Sequence, residues 1–186
     1  KDQAKAVGTE MIEDHISSVN FKSKPFEAVG ESGKKYTADS IIISTGAQAR
    51  WLNLESEKKF RGFGVSACAT CDGFFFKEKT VAVVGGGNAA VEEAMFLTKF
   101  ASEVKLIHRR DKLRAEAMLV DKLNQKISDK KIEVIWNANL IKVVGDDMKV
   151  TGAILQKKDS QEEININCDG VFIAIGHQPN TSIFKD

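Results

Sequence analysis

Apolar residues in this chain gather in short runs whose period changes from one run to the next. Thr80 to Val84 is nearly all apolar and predicts a strand. From Asn88 to Lys99 the residues Ala90, Ala94 and Leu97 fall on one face at helical spacing. A second strand is predicted from Glu103 to Ile107, then a helix from Arg114 to about Ile127 and a strand from Ile132 to Trp136. Leu140 to Val144, Met148 to Leu155 and Ile164 to Cys168 predict a meander, with Gly145-Asp146-Asp147 turning the first pair. Val171 to Ile175 is a fully apolar strand. Nearer the start, His15 to Phe21, Phe26 to Val29 and Lys35 to Thr37 read as short strands, with turns at Lys24-Pro25 and Glu31-Ser32-Gly33. Ile41-Ile42-Ile43, leading into Ser44-Thr45-Gly46-Ala47, suits a parallel strand buried on both faces. No internal repeat or low-complexity segment interrupts the pattern. Strands alternating with helices place the chain in the α/β class.

The join between the Thr80 strand and the Asn88 helix reads Gly85-Gly86-Gly87-Asn88-Ala89-Ala90. Glycine at 85 permits a tight turn, and glycine at 87 lets the backbone approach a pyrophosphate. The small Ala90 allows the helix to pack closely on the strand. The helix N-terminus then offers free N–H groups and a positive dipole end to the phosphates. Such glycines are weak evidence alone, but here they sit between a strand and a helix, as a Rossmann-like fold requires. The next strand ends where that fold reads the adenosine ribose, about 20 residues beyond the glycines. An unphosphorylated ribose calls for Asp or Glu there. This chain has His108-Arg109-Arg110, with Arg114 one turn further on. Guanidinium forks match a phosphate dianion in charge and geometry, which points to NADP(H). A solvated basic patch at a strand end is the alternative reading.

Upstream stands Cys68-Ala69-Thr70-Cys71-Asp72. Cysteines at this spacing can close a small disulfide loop, contribute half a zinc site, or sit as an inert pair. The remaining thiol is Cys168, and His15, His108 and His177 are scattered, so no second ligand pair completes a tetrahedral metal site. Asp72 favours redox work, because dithiol exchange needs a proton donor or acceptor near the sulfurs. Phe74-Phe75-Phe76 reads first as a buried apolar run and second as a recognition surface. Cys168, before Asp169-Gly170, reads as a free, buried thiol.

Composition excludes several classes. Hydrophobic residues make up 42% of the 186, and the net charge is +1, so nothing marks a nucleic-acid or membrane partner. No apolar run approaches the ~18 residues of a spanning helix. Few cysteines, two of them at redox spacing, favour a reducing cytoplasmic setting.

Taken together, Ser66-Ala67-Cys68-Ala69-Thr70-Cys71-Asp72-Gly73, the Gly85 to Ala90 motif, His108-Arg109-Arg110-Asp111 with Arg114, and Ala174-Ile175-Gly176-His177 with Pro179-Asn180 resemble the bacterial-type, low-molecular-weight thioredoxin reductases. The resemblance implies an FAD-dependent homodimer that passes electrons from NADPH through flavin and an internal disulfide to thioredoxin. It makes Cys71 the thiol nearest the flavin, Cys68 the thiol that attacks thioredoxin, and Asp72 the acid–base partner. Arg109, Arg110 and Arg114 would clamp the 2′-phosphate, and Glu92 would sit at the nicotinamide end unless it is a solvated surface carboxylate. Ile175 and Gly176 would be among the cofactor-binding residues, and Thr45, Gly46 and Ala47 would border the FAD. The fold expected is a Rossmann-like NADP-binding domain, with a parallel sheet and a β-meander, joined to part of a second, FAD-binding domain, as in flavoproteins with two dinucleotide-binding domains. The expected boundaries are 1–49 for the partial FAD domain, 50–177 for the NADPH domain with its dithiol, and 178–186 for a return segment. Because the sequence holds one glycine fingerprint and not two, it reads as an internal piece of a longer protein. Nicotinamide and dithiol on one domain cannot meet the same flavin together, so the resemblance also implies rotation about connections near Gly46 and Gly176. A reductase of another disulfide, of the alkyl hydroperoxide reductase type, and a non-catalytic NADP(H)-binding redox sensor remain alternatives.

If the arginines hold a 2′-phosphate, the chain should bind NADPH well and NADH poorly. Hydrogen bonds to charged groups are worth about 1.5–3 kcal/mol each, so losing two costs well over tenfold. Titration with both nucleotides checks this. Equal affinity, or no loss in Arg109→Ala with Arg110→Ala, counts against the assignment.

Overall fold

The computed structural model describes residues 1–185. The chain divides into two compact units, Lys1–Gln48 with Pro179–Asp186, and Ala49–Gln178.

The first unit opens with a short helix α1 (Asp2–Ala6) and an antiparallel sheet of β1 (Ile16–Asn20), β2 (Phe26–Gly30) and β3 (Lys35–Ala38) in that order. The Asp14 carboxylate accepts from the Ser32 and Tyr36 hydroxyls, and these bonds hold its pKa below the usual carboxylate value. A side chain at Gly30 would collide with that carboxylate, its Cβ only 1.9 Å from Oδ2. The strand expected at Ile41-Ile42-Ile43 does not form. These residues have no regular structure, and Ile42 is 92% exposed. A parallel strand needs neighbours for its hydrogen bonds and cover on both faces. Among the described residues of this unit, only the antiparallel meander forms a sheet of three strands.

Strand β4 (Ala47–Ala49) leads into the second unit, which begins with a helix not foreseen in the sequence, α2 (Glu55–Phe60). Next come β5 (Val65–Ser66), the one-turn helix α3 (Ala69–Asp72) and a 3₁₀ turn at Gly73–Phe76. The Rossmann-like core follows as β6 (Thr80–Gly85), α4 (Asn88–Leu97), β7 (Glu103–Ile107), α5 (Ala117–Ser128) and β8 (Ile132–Ile135). Strands β9 (Ala138–Gly145), β10 (Val150–Lys157) and β11 (Glu163–Asn167) form the antiparallel meander. The chain then returns to the parallel sheet as β12 (Gly170–Ala174), giving the order β5-β12-β6-β7-β8. A final strand, β13 (His177–Pro179), pairs with β4.

Both faces of the parallel sheet are covered, which is why β6 and β12 are almost wholly apolar. On one face Val81, Val83 and Phe172 pack with Ala90, Ala94 and Leu97 of α4 and Leu123 of α5. On the other, Ala82, Val84, Val171 and Ile173 pack with Leu140, Val143 and Leu155 of the meander and Phe60 of α2. The helix expected from Arg114 starts instead at Ala117. The Arg114 N–H is already engaged by the Gly86 carbonyl at 2.7 Å, and Asn88 Oδ1 accepts from the Glu116 N–H at 2.9 Å. The triple phenylalanine also differs from expectation: Phe76 is buried, but Phe74 and Phe75 are 68% and 71% exposed. The 3₁₀ turn directs only its last ring inward, edge-on to Phe172 at 5.3 Å.

Phe172→Ala deletes a fully buried ring from the centre of the sheet and should cost about 3–5 kcal/mol. A fall in the urea midpoint measures it, with exposed Phe75→Ala expected to change little.

Candidate functional site

The parallel sheet reverses its chain order between β6 and β12, with β7 and β8 on one side and β5 beyond β12 on the other. At such a switch point the loops leaving adjacent strands diverge and open a crevice at the carboxyl ends. A cleft of about 540 Å³ lies there. Its floor is the turn from β6 into α4, and each glycine in that turn has its own reason. A Cβ on Gly85 would stand 2.3 Å from the Ala174 carbonyl and 2.6 Å from Ala90 Cβ. One on Gly86 would stand 2.1 Å from the His108 ring. Gly87 meets nothing within 4 Å, so no neighbour within the protein demands a glycine there. The open space over Gly87, at the N-terminus of α4, suits the close approach of a phosphate.

The cleft gathers most of the residues singled out from the sequence. Gly85, Gly86, Gly87, Asn88 and Ala89 line it, as do His108, Arg109, Arg114, Ile175 and Gly176. Ala90 lies beneath, wholly buried in the core. Arg110 and Glu92 are exposed and do not line the cleft. Thr45, Gly46 and Ala47 belong to the other unit, where all three are exposed. Gly46 and Gly176 both adopt positive φ, +70° and +102°, which glycine takes without strain.

His108 acts as a buried strut here. Its Nε2 lies 3.0 Å from the Lys112 carbonyl, which requires that nitrogen to carry the proton and donate. Burial lowers its pKa, bonds to the Lys112 and Gly85 carbonyls partly offset this, and Arg110 and Arg114 add to the lowering. Arg114 is drawn to the cleft by its own N–H bond to Gly86, and Asn88 Nδ2 donates to Glu116 at 3.1 Å, fastening the same loop. Arg50, Leu52 and Asn139 also line the cleft. No local pattern marks them, because they arrive from segments distant in sequence.

Cys68 and Cys71 lie in the same unit and are joined as a disulfide. Cys68 caps α3, its Sγ accepting from the Cys71 N–H at 3.2 Å and lying 3.4 Å from Thr70 Oγ1. Cys71 is exposed, while Cys68 and Asp72 are half-buried. The short helix rests on α4, where Gly73 admits Leu97 to within 3.1 Å of where a Cβ would stand. Beside it Glu93, also unmarked in the sequence, is half-buried with Oε2 unpartnered among the described residues. Burial raises its pKa, and the nearby Ala69 amide partly offsets that. The disulfide thus sits on the unit that holds the cleft.

A family profile described as pyridine nucleotide-disulphide oxidoreductase matches residues 2–186. The chain belongs to this family. It is 54% identical over its whole length to a thioredoxin reductase of Vibrio cholerae, covering 58% of that protein. It is 55% identical to a Pseudomonas fluorescens protein named glucosaminate ammonia-lyase, covering 57% of it. The chain therefore spans under three fifths of these curated relatives. Among solved structures, that of Lactococcus lactis thioredoxin reductase in its FR conformation superposes with a TM-score of 0.83 at 32% identity, covering 98% of this chain and 59% of that one. The α/β fold with its parallel sheet is the one these structures share.

Cys168 is buried at 3% exposure, and burial pushes its thiol up to about 12. At pH ~7 roughly one molecule in 10⁵ carries the reactive thiolate. Cysteine-directed alkylation of the reduced native chain should therefore label Cys68 and Cys71 well before Cys168. Mass spectrometry showing Cys168 labelled first would contradict the buried-thiol assignment.

Proposed function

We propose that this chain is the NADPH-binding and dithiol-bearing part of a thioredoxin-disulfide reductase, an NADPH-dependent flavoprotein oxidoreductase. One observation carries the reading: an exchange-competent disulfide shares a compact unit with a dinucleotide cleft whose β7 edge bears arginines. In this reading Ala49–Gln178 is the NADPH domain, and Lys1–Gln48 with Pro179–Asp186 belongs to the FAD domain.

The residues divide the work. Backbone N–H groups at Gly87, Asn88 and Ala89 receive the pyrophosphate. Arg109, Arg110 and Arg114 hold the 2′-phosphate, Arg110 by swinging in from the exposed rim. Ile175 and Gly176 lie along the nicotinamide half, and Glu92 stands towards that end. Thr45, Gly46 and Ala47 border FAD. FAD, when bound, supplies the chemistry that takes up a hydride and returns two electrons to the disulfide. Reduction of the Cys68–Cys71 bond consumes two electrons and two protons and leaves a dithiol, with Asp72 exchanging a proton with the sulfurs and solvent supplying the balance. The Cys68 thiolate then attacks the disulfide of thioredoxin and expels one of its sulfurs. Cys71 resolves the mixed disulfide by attacking Cys68 Sγ, which restores the bond and releases reduced thioredoxin. Exposed Phe74 and Phe75 beside the dithiol give such a partner an apolar surface to meet. The working enzyme is a homodimer of the cytoplasm, with neither nucleic acid nor membrane among its partners. No helix among the described residues is long and apolar enough to cross a membrane.

A reductase of a different disulfide protein would use the same residues, so the partner decides between them. A non-catalytic redox sensor would bind NADP(H) and cycle its disulfide without turnover. The lyase name borne by one relative denotes loss of ammonia, a reaction that gives the Cys68–Cys71 pair no task.

Tested as these 186 residues, the chain should bind NADPH but reduce neither thioredoxin nor a small disulfide dye, even with added FAD, because the sequence holds one glycine fingerprint. In a longer protein containing this segment and a flavin, Cys68→Ser should abolish thioredoxin reduction while NADPH still bleaches the flavin. Turnover by the 186 residues alone, or full thioredoxin reduction by Cys68→Ser, would refute this electron path.

A further inference from the structure

Arg50 and Leu52 line the cleft on its β12 side. The Arg50 N–H donates to the Gly176 carbonyl at 2.9 Å, and the Arg50 guanidinium donates to Gln178 Oε1 at 3.0 Å. Its one side-chain partner in the structure is thus neutral, and among the described residues no carboxylate pairs with it. The segment that follows is clamped from below. Glu57 is fully buried, and its two oxygens accept from the Leu52 N–H at 2.9 Å and the Asn53 N–H at 2.8 Å. Arg61 lies 3.5 Å from the same carboxylate and spreads its guanidinium 3.8 Å from the Trp51 ring centre. A buried carboxylate is costly unless its oxygens are engaged. Here it is engaged by the backbone of the rim that carries Arg50 and Leu52.

Position selects the ligand. Arg109 and Arg114 stand at the β7 side of the cleft, whereas Arg50 is tied to Gly176, just past β12. A dinucleotide laid across the switch point with its adenosine ribose at β7 carries its pyrophosphate and nicotinamide half towards β12. The anionic group on that half is the pyrophosphate. Resting on the reading of the cleft as an NADPH site, we propose that Arg50 is a binding residue for the dinucleotide pyrophosphate from the β12 side, and that Glu57 is a positioning residue that holds its rim. Arg50 then contributes affinity common to phosphorylated and unphosphorylated cofactors, while the β7 arginines contribute the discrimination between them.

The test measures affinities of the chain for NADPH, NADH and adenosine 2′-monophosphate, which carries the 2′-phosphate without a pyrophosphate. Arg50→Gln should weaken NADPH and NADH by the same factor, about tenfold for one charge-assisted bond, and leave adenosine 2′-monophosphate unchanged. Arg109→Ala should weaken NADPH and adenosine 2′-monophosphate but spare NADH. Glu57→Gln turns an N–H₂ against a backbone N–H and should lower NADPH and NADH in the Arg50→Gln pattern; an unfolded Glu57→Gln leaves the decision to exposed Arg50→Gln. Unchanged NADPH affinity in Arg50→Gln, or equal weakening of adenosine 2′-monophosphate, overturns the proposal. Wild-type chain that binds none of the three overturns the cofactor reading itself.

Discussion

The close approach at the carboxyl end of β6 is the constraint on which the second unit depends. Strand β6 must pair with β12 on one side and β7 on the other while α4 packs across it at Ala90. A single added methyl at Gly85 would press on both the Ala174 carbonyl and Ala90. One turn therefore sets the distance between α4 and the sheet, the switch point and the floor of the cleft. The tightness extends one residue further, where the bare face of Gly86 admits the His108 ring. The strand end that would read the ribose is thus packed against the turn that would receive the phosphates.

Charge is arranged around this packing. The His108 ring is buried beside the arginines, with its pKa lowered chiefly by that burial, and Arg114 is fixed by its own backbone at Gly86. The Cys68–Cys71 disulfide is carried beside the same helix layer. Helix α3 leans on α4 through Gly73 and Leu97, and Phe76 locks the following turn against Phe172 at the sheet centre. Cys71, Phe74 and Phe75 are left facing solvent.

Where sequence and structure part, the cause is tertiary. Ile41-Ile42-Ile43 has the composition of a buried parallel strand, yet burial is a property of neighbours, and the described residues offer it none. The start of α5 lies at Ala117 and not at Arg114 because bonds to Gly86 and Asn88, 28 residues earlier, hold the preceding segment off the helical path, with Glu116 extended at the N-cap. Helix α2 escaped notice because it is short and polar on most of its surface, with Phe60 and the buried Glu57 turned inward.

The sequence by itself determined the parallel core, the glycine turn, the arginine cluster and the Cys-x-x-Cys pair, because each depends on near neighbours whose spacing is visible along the chain. It also indicated a buried Cys168 from its place at a strand end. Only the tertiary structure decided that Arg50, Leu52 and Asn139 share the cleft, that Glu57 holds the rim from beneath, and that Glu93 lies beside the disulfide helix. The Arg50 contacts reach as far as Gln178, 128 residues away, and although Glu57 accepts from amides only four and five residues back, a carboxylate or arginine carries no local sign of which backbone will fold over it.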